Sequence, residues 1–138
     1  FADVLAGTGA GVRLWRGTQG PGGREDDEVV LTAAGDDRRA GAAGCVVPGW
    51  VLVGDPGWED GRGAVFALRD ATVAGVGEAV LDDLADAVWT GDHVGDAFGT
   101  WLVCAEVDGA FEVLVGAPGW DVDGATGDHG ALVRLPIP

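Results

Sequence analysis

The octet Val-Leu-Val-Gly-Asp-Pro-Gly-Trp at residues 51–58 returns as Val-Leu-Val-Gly-Ala-Pro-Gly-Trp at residues 113–120, 62 residues later. Self-similarity at such a period constrains the fold more than any local propensity, because each copy reads as one unit of a stacked array. Within each octet an unbroken apolar triplet runs into Gly, one further residue, Pro and Gly. A helix would be broken there at once, whereas a short strand ending in a turn is natural. Consecutive residues of a strand point to opposite faces, so a triplet apolar at every position predicts a strand covered on both sides. Each octet is followed by a Gly-Ala step into another apolar run, Gly63–Leu68 and Gly130–Leu135.

A worn third copy stands at the N-terminus, with Val4-Leu5-Ala6-Gly7 in the place of Val-Leu-Val-Gly and Gly11–Trp15 in the place of the second run. The pattern predicts an all-β chain with strands at 2–7, 11–16, 27–33, 42–47, 50–55, 63–69, 86–91, 98–106, 112–117 and 130–135. Val80, Leu81, Leu84 and Val88 fall at helical spacing among acids, which leaves a short helix as the alternative there. The repeat register favours an irregular loop leading into an outer strand.

With 138 residues, 47% of them hydrophobic, the chain can bury one modest core. Its 26 glycines, spread along the whole length, argue for many tight turns and against long helices. The 23 acidic residues face 8 basic ones, all Arg, for a formal net charge of -15. Such a surface repels nucleic-acid backbones and anionic membranes. Lys, Ser, Asn, Tyr and Met are missing and Ile occurs once, a bias read as GC-rich coding in preference to adaptation to high salt. No apolar run approaches the ~20 residues of a membrane span, and the first residues lack the basic and apolar segments of a signal peptide.

Catalysis finds little support. The absence of Ser excludes a serine triad, and His93 and His129 stand in Asp- and Gly-rich loops with no nearby partner marking a nucleophile or a zinc site. Both read as surface residues. Gly7–Gly11 lacks the full order of a phosphate-binding loop and a following helix. Cys45 and Cys104 lie in separate units without CxxC spacing; they read first as two buried thiols, with a disulfide as the alternative and metal ligation as the minor reading.

The segment Thr90–Trp120 resembles the FG-GAP repeat of integrin alpha-subunit propellers and of many bacterial surface proteins. Phe98-Gly99 supplies the "FG" and Gly116-Ala117-Pro118 the "GAP". The preceding unit keeps the octet but has Ala43-Gly44 where Phe-Gly is expected, and the first has Gly7-Thr8-Gly9 in place of Gly-Ala-Pro. The resemblance implies propeller-type blades, about two and a half of them: a partial blade over 1–35, a middle blade over 36–92 and a partial blade over 93–138. Propellers have four to eight blades, so the expectation is a piece of a larger propeller. Trp50, Trp58, Trp101 and Trp120 then read as packing between blades, with an exposed aromatic ligand platform as the minor reading.

The resemblance also implies a calcium loop of the form D-x-D-x-D-G-x-x-D, which falls on Cys104, Glu106, Asp108, Gly109 and Glu112. Glu106, Asp108 and Glu112 are thus the candidate calcium ligands, with a thiol at the first position where a hard cation wants oxygen. An acidic turn is the competing reading. Asp121, Asp123 and Asp128 make a second acidic cluster, read as a solvated turn because no Glu closes a loop at the twelfth position. By resemblance the expected role is a non-catalytic, extracellular scaffold for binding or adhesion to a protein or glycan ligand. The alternatives are an accessory propeller segment of a secreted hydrolase and a structural protein that self-associates through open blade edges.

Overall fold

The computed structural model describes residues 4–15, 28–121, 127 and 129–137. It is mostly β, with three small sheets. The first holds β1 (Val4–Gly7), β2 (Gly11–Trp15) and β3 (Glu28–Thr32) as an antiparallel meander. The second is the antiparallel meander β4 (Ala43–Val47), β5 (Trp50–Asp55), β6 (Ala64–Arg69) and β8 (Ala87–Thr90). The third holds β9 (Trp101–Val107), β10 (Ala110–Ala117) and β11 (Ala131–Leu135), with β10 in the middle. Strand β7 (Glu78–Val80) leaves the middle segment and pairs in parallel with β3, so the first sheet borrows a strand from within 36–92. Among the described residues no sheet closes on itself.

The octet strand β5 carries the core. Val51, Leu52 and Val53 are all fully buried. Val51 and Val53, with Phe66 and Leu68, pack against Val12, Leu14, Val29 and Leu31 of the first sheet. Leu52 points the other way and, with Trp50, Val65 and Ala67, meets Val113, Val115, Ala117 and Leu135 of the third sheet. Period-two alternation therefore gives one strand two apolar faces, each covered by its own neighbour. At ~25 cal/mol per Å² of apolar surface, burying both faces is the main force holding the three sheets in a stack.

The second octet is covered on one side only. Val113 and Val115 are buried, while Leu114 is half-buried beside its cross-strand neighbour Val103. On that outer face Trp101 is 63%, Val103 55% and Leu132 68% exposed, and no further sheet among the described residues lies over it. Trp101 thus departs from the expectation of packing between sheets: its ring lies across Gly116 on the outside of its own sheet. Trp50 and Trp120 join the cluster between the second and third sheets, and Trp58 the cluster between the first and second.

The turns follow residue chemistry. Pro48-Gly49 joins β4 to β5, with Gly49 at φ 83, a value suited to glycine at the second central position of a type II turn. Asp108-Gly109 joins β9 to β10 with both residues at positive φ, 51 and 79, as a two-residue type I′ hairpin requires. The segment 78–90 resolves into β7, a single helical turn at Leu81–Leu84 and β8. The helical spacing is used for one turn that buries Leu81.

The unit repeats in its hydrogen bonds, and this corrects the equivalence expected at Ala43-Gly44. Gly99 N donates to the octet carbonyl of Gly116 at 3.1 Å, and Gly41 N donates to that of Gly54 at 2.9 Å. Both glycines have positive φ, 85 and 89. Ala40-Gly41 is therefore the counterpart of Phe98-Gly99, and both Ala40 and Phe98 are buried. The offset here is 58 residues against 62 at the octets, because the β9–β10 hairpin is longer than β4–β5.

Candidate functional site

The candidate calcium loop is the hairpin that joins β9 to β10. Glu106 stands opposite Phe111 and on the face of Cys104, whereas Glu112 stands opposite Ala105 and on the face of Leu114. Pairing in register places the two carboxylates on opposite sides of the sheet. Asp108 sits in the tight turn between them, and Glu112 is held by Arg134 at 2.7 Å. Among the described residues no group of three or more His, Cys, Asp or Glu gathers as a metal site. Calcium asks for six to eight converging oxygens, and in this register Glu106 and Glu112 do not point to one side of the sheet.

Cys104, the first position of that pattern, is bonded to Cys45 across the second and third sheets, with Cα atoms 6.2 Å apart. This corrects the expectation of free thiols. The physical reason is that β4 and β9 lie side by side, which brings residues 59 apart in sequence to bonding distance. In the second acidic cluster Asp123 and Asp128 lie outside the described residues; Asp121 stands 3.8 Å from His129.

The octets differ at one position, Asp55 against Ala117. Asp55 is fully buried at the end of β5. One of its carboxylate oxygens accepts from Arg39 N at 2.9 Å and Gly57 N at 3.1 Å, and the other accepts from Arg38 Nε. The same guanidinium donates to Asp82 at 2.8 Å and to the Ala34 carbonyl at 2.7 Å, and lies 5.6 Å from the centre of the Phe66 ring. Burial works against the charge of Arg38, yet its bonds to Asp82 and Asp55 hold its pKa above the ordinary value. Burial likewise opposes ionisation of Asp82, but the bonds from Arg38 and from the Ala34 N–H prevail and lower its pKa. This cluster ties the loop before β4, the end of β5 and the turn at Leu81–Leu84 into one unit.

In the last unit the counterpart of Arg38 is Asp96, three residues before the repeated glycine. Asp96 is 3% exposed and accepts from the backbone N–H groups of Asp92 and His93 at 2.9 and 2.8 Å. Where Arg38 meets Asp55, Asp96 shares the lining of a cavity with Ala117. That cavity, about 190 Å³, is lined also by Trp89 of β8, Trp120, Phe98 and Asp92. No Arg lines it among the described residues. His93, 62% exposed, stands with Nδ1 3.9 Å from Asp96. Chemically this is a small aromatic pocket with a buried carboxylate at its edge.

Sequence reasoning did not mark Asp96. Its signal was the single octet difference, because Ala117 removes the partner that a residue at the position of Arg38 would need. The chain matches no protein-family model, and no curated protein matches it.

Proposed function

We propose that the chain is a non-catalytic array of propeller-type blades, FG-GAP-like in its units, that serves as an extracellular scaffold for binding or adhesion to a protein or glycan. What supports the blade reading above all is one recurring arrangement: Gly41 bonds to Gly54 within the second sheet while its carbonyl lies against Gly7 of the first, and Gly99 bonds to Gly116 within the third sheet while its carbonyl lies against Gly54 of the second. In keeping with it, β4, the first strand of the second sheet, lies beside both β1 and β9. The Cys45–Cys104 bond agrees with an oxidising compartment. No helix among the described residues is long and apolar enough to cross a membrane.

The test is to probe the immobilised chain against panels of extracellular proteins and glycans, and in parallel to offer it ester, peptide and glycoside substrates. Saturable binding without turnover is expected. Turnover that scales with protein concentration would refute the non-catalytic reading.

A second reading rests on the bare face of the third sheet, where Trp101, Val103 and Leu132 are exposed together. Copies of the chain stack through that face and self-associate. Light scattering that rises with concentration in the wild type and stays monomeric in Trp101→Asp supports it, and a monomer at every concentration removes it.

A further inference from the structure

The two equivalent positions, Arg38 and Asp96, carry opposite charges and meet different partners. In the middle unit the buried carboxylate of Asp55 has its cation built in. In the last unit the one ion pair at the buried carboxylate of Asp96 among the described residues is with an exposed histidine, His93, and the volume freed by Ala117 is part of an aromatic cavity. A carboxylate removed from water and short of a cation draws one to itself. Indole faces draw a cation too, most strongly when it has shed its water.

We propose that this cavity binds a small quaternary ammonium cation, held by Asp96 and walled by Trp89 and Trp120. Size narrows the class. A cavity of about 150 Å³ takes up benzene, so about 190 Å³ admits one trimethylammonium head group and excludes a disaccharide. Lining narrows it further, since Trp89, Trp120, Phe98 and Ala117 offer methyl groups apolar contact while giving few acceptors to an N–H-rich guanidinium. Asp92 at the exposed rim adds negative charge, and the formal net charge of -15 attracts cations from a distance.

The experiment is a titration of the whole chain with choline at constant ionic strength, followed by the six indole N–H signals in a nitrogen–proton correlation spectrum. The Trp89 and Trp120 signals should shift saturably, with affinity in about the millimolar range, while that of Trp50 stays in place. The neutral isostere 3,3-dimethylbutanol should bind at least about tenfold more weakly. Asp96→Asn keeps an acceptor for the two backbone N–H groups and should lose about tenfold in affinity. Asp96→Arg combined with Ala117→Asp rebuilds the pair of the middle unit and should abolish binding while the spectrum remains that of a folded chain. Should that double variant fail to fold, Asp96→Asn decides. No saturable shift with choline, equal affinity for the neutral isostere, or unchanged affinity in Asp96→Asn would each overturn the proposal.

Discussion

Reducing the Cys45–Cys104 bond should cost the fold a large part of its stability. The bridge closes a loop spanning 59 residues. The chain-entropy relation for such a loop gives about 4.2 kcal/mol at 25 °C. Unfolding entropy of about 2.1 cal/mol/K per residue gives about 0.29 kcal/mol/K for the 138 residues, so the midpoint should fall by about 14 °C. Comparing oxidised chain with chain held in phosphine keeps the sequence constant and leaves the two sulfurs in the cluster between the second and third sheets. The assay is thermal unfolding followed by circular dichroism, with a thiol count in denaturant before reduction. No reactive thiol and a double-digit drop in the midpoint are expected. Two thiols in the unreduced chain, or a drop under about 3 °C, would refute the reasoning that the bridge restrains the unfolded chain across two sheets.

The two central leucines of the octets should respond differently: Leu52→Ala should cost about 2–5 kcal/mol in urea unfolding and Leu114→Ala about 1 kcal/mol, because only Leu52 is fully buried. Equal losses would argue against a sheet covered on both faces. Asp55→Ala takes from Arg38 the fully buried one of its two carboxylate partners and should cost about 3–5 kcal/mol, and adding Arg38→Met should recover at least half of it. A double variant no better than the single would place the loss elsewhere. Asp82 has a lowered pKa in the folded state, so its contribution is present above the ordinary aspartate value of about 3.9 and is lost as pH falls through the folded value. The gap in urea midpoint between wild type and Asp82→Asn should therefore be constant from pH 7 to about 5 and close below about pH 4. A gap that widens on acidification contradicts the assigned sign.

Much of the strand pattern could be read from the sequence because apolar triplets, prolines and glycines act locally. Val51–Val53 announced a doubly covered strand before any neighbour was known, and the structure places it between two sheets. Features that depend on distant chain segments were hidden. Glu78-Ala79-Val80 is too short and too mixed to read as a strand, and becomes one only because β3 offers it a parallel edge. Cys45 and Cys104 could not be paired without knowing that β4 and β9 adjoin. The acidic spacing of Glu106, Asp108 and Glu112 fitted a calcium pattern, but a two-residue hairpin sends the outer two to opposite faces. Ala40-Gly41 and Ala43-Gly44 are the same dipeptide, so only the hydrogen bond to Gly54 shows which is the structural equivalent. Asp96 was silent because its meaning lies in the contrast with Arg38, visible once the two units are superposed by their bonds.

Native-state amide hydrogen exchange at Val51, Leu52 and Val53 tests most directly whether the octet strand is the enclosed middle layer of the stack. Their N–H groups should be among the slowest in the chain and exchange only through global unfolding, with protection matching the free energy from urea melts. Exchange of those three amides at rates like those of the exposed strand ends, such as Val107, would show that no second sheet covers them and would contradict the stacked arrangement.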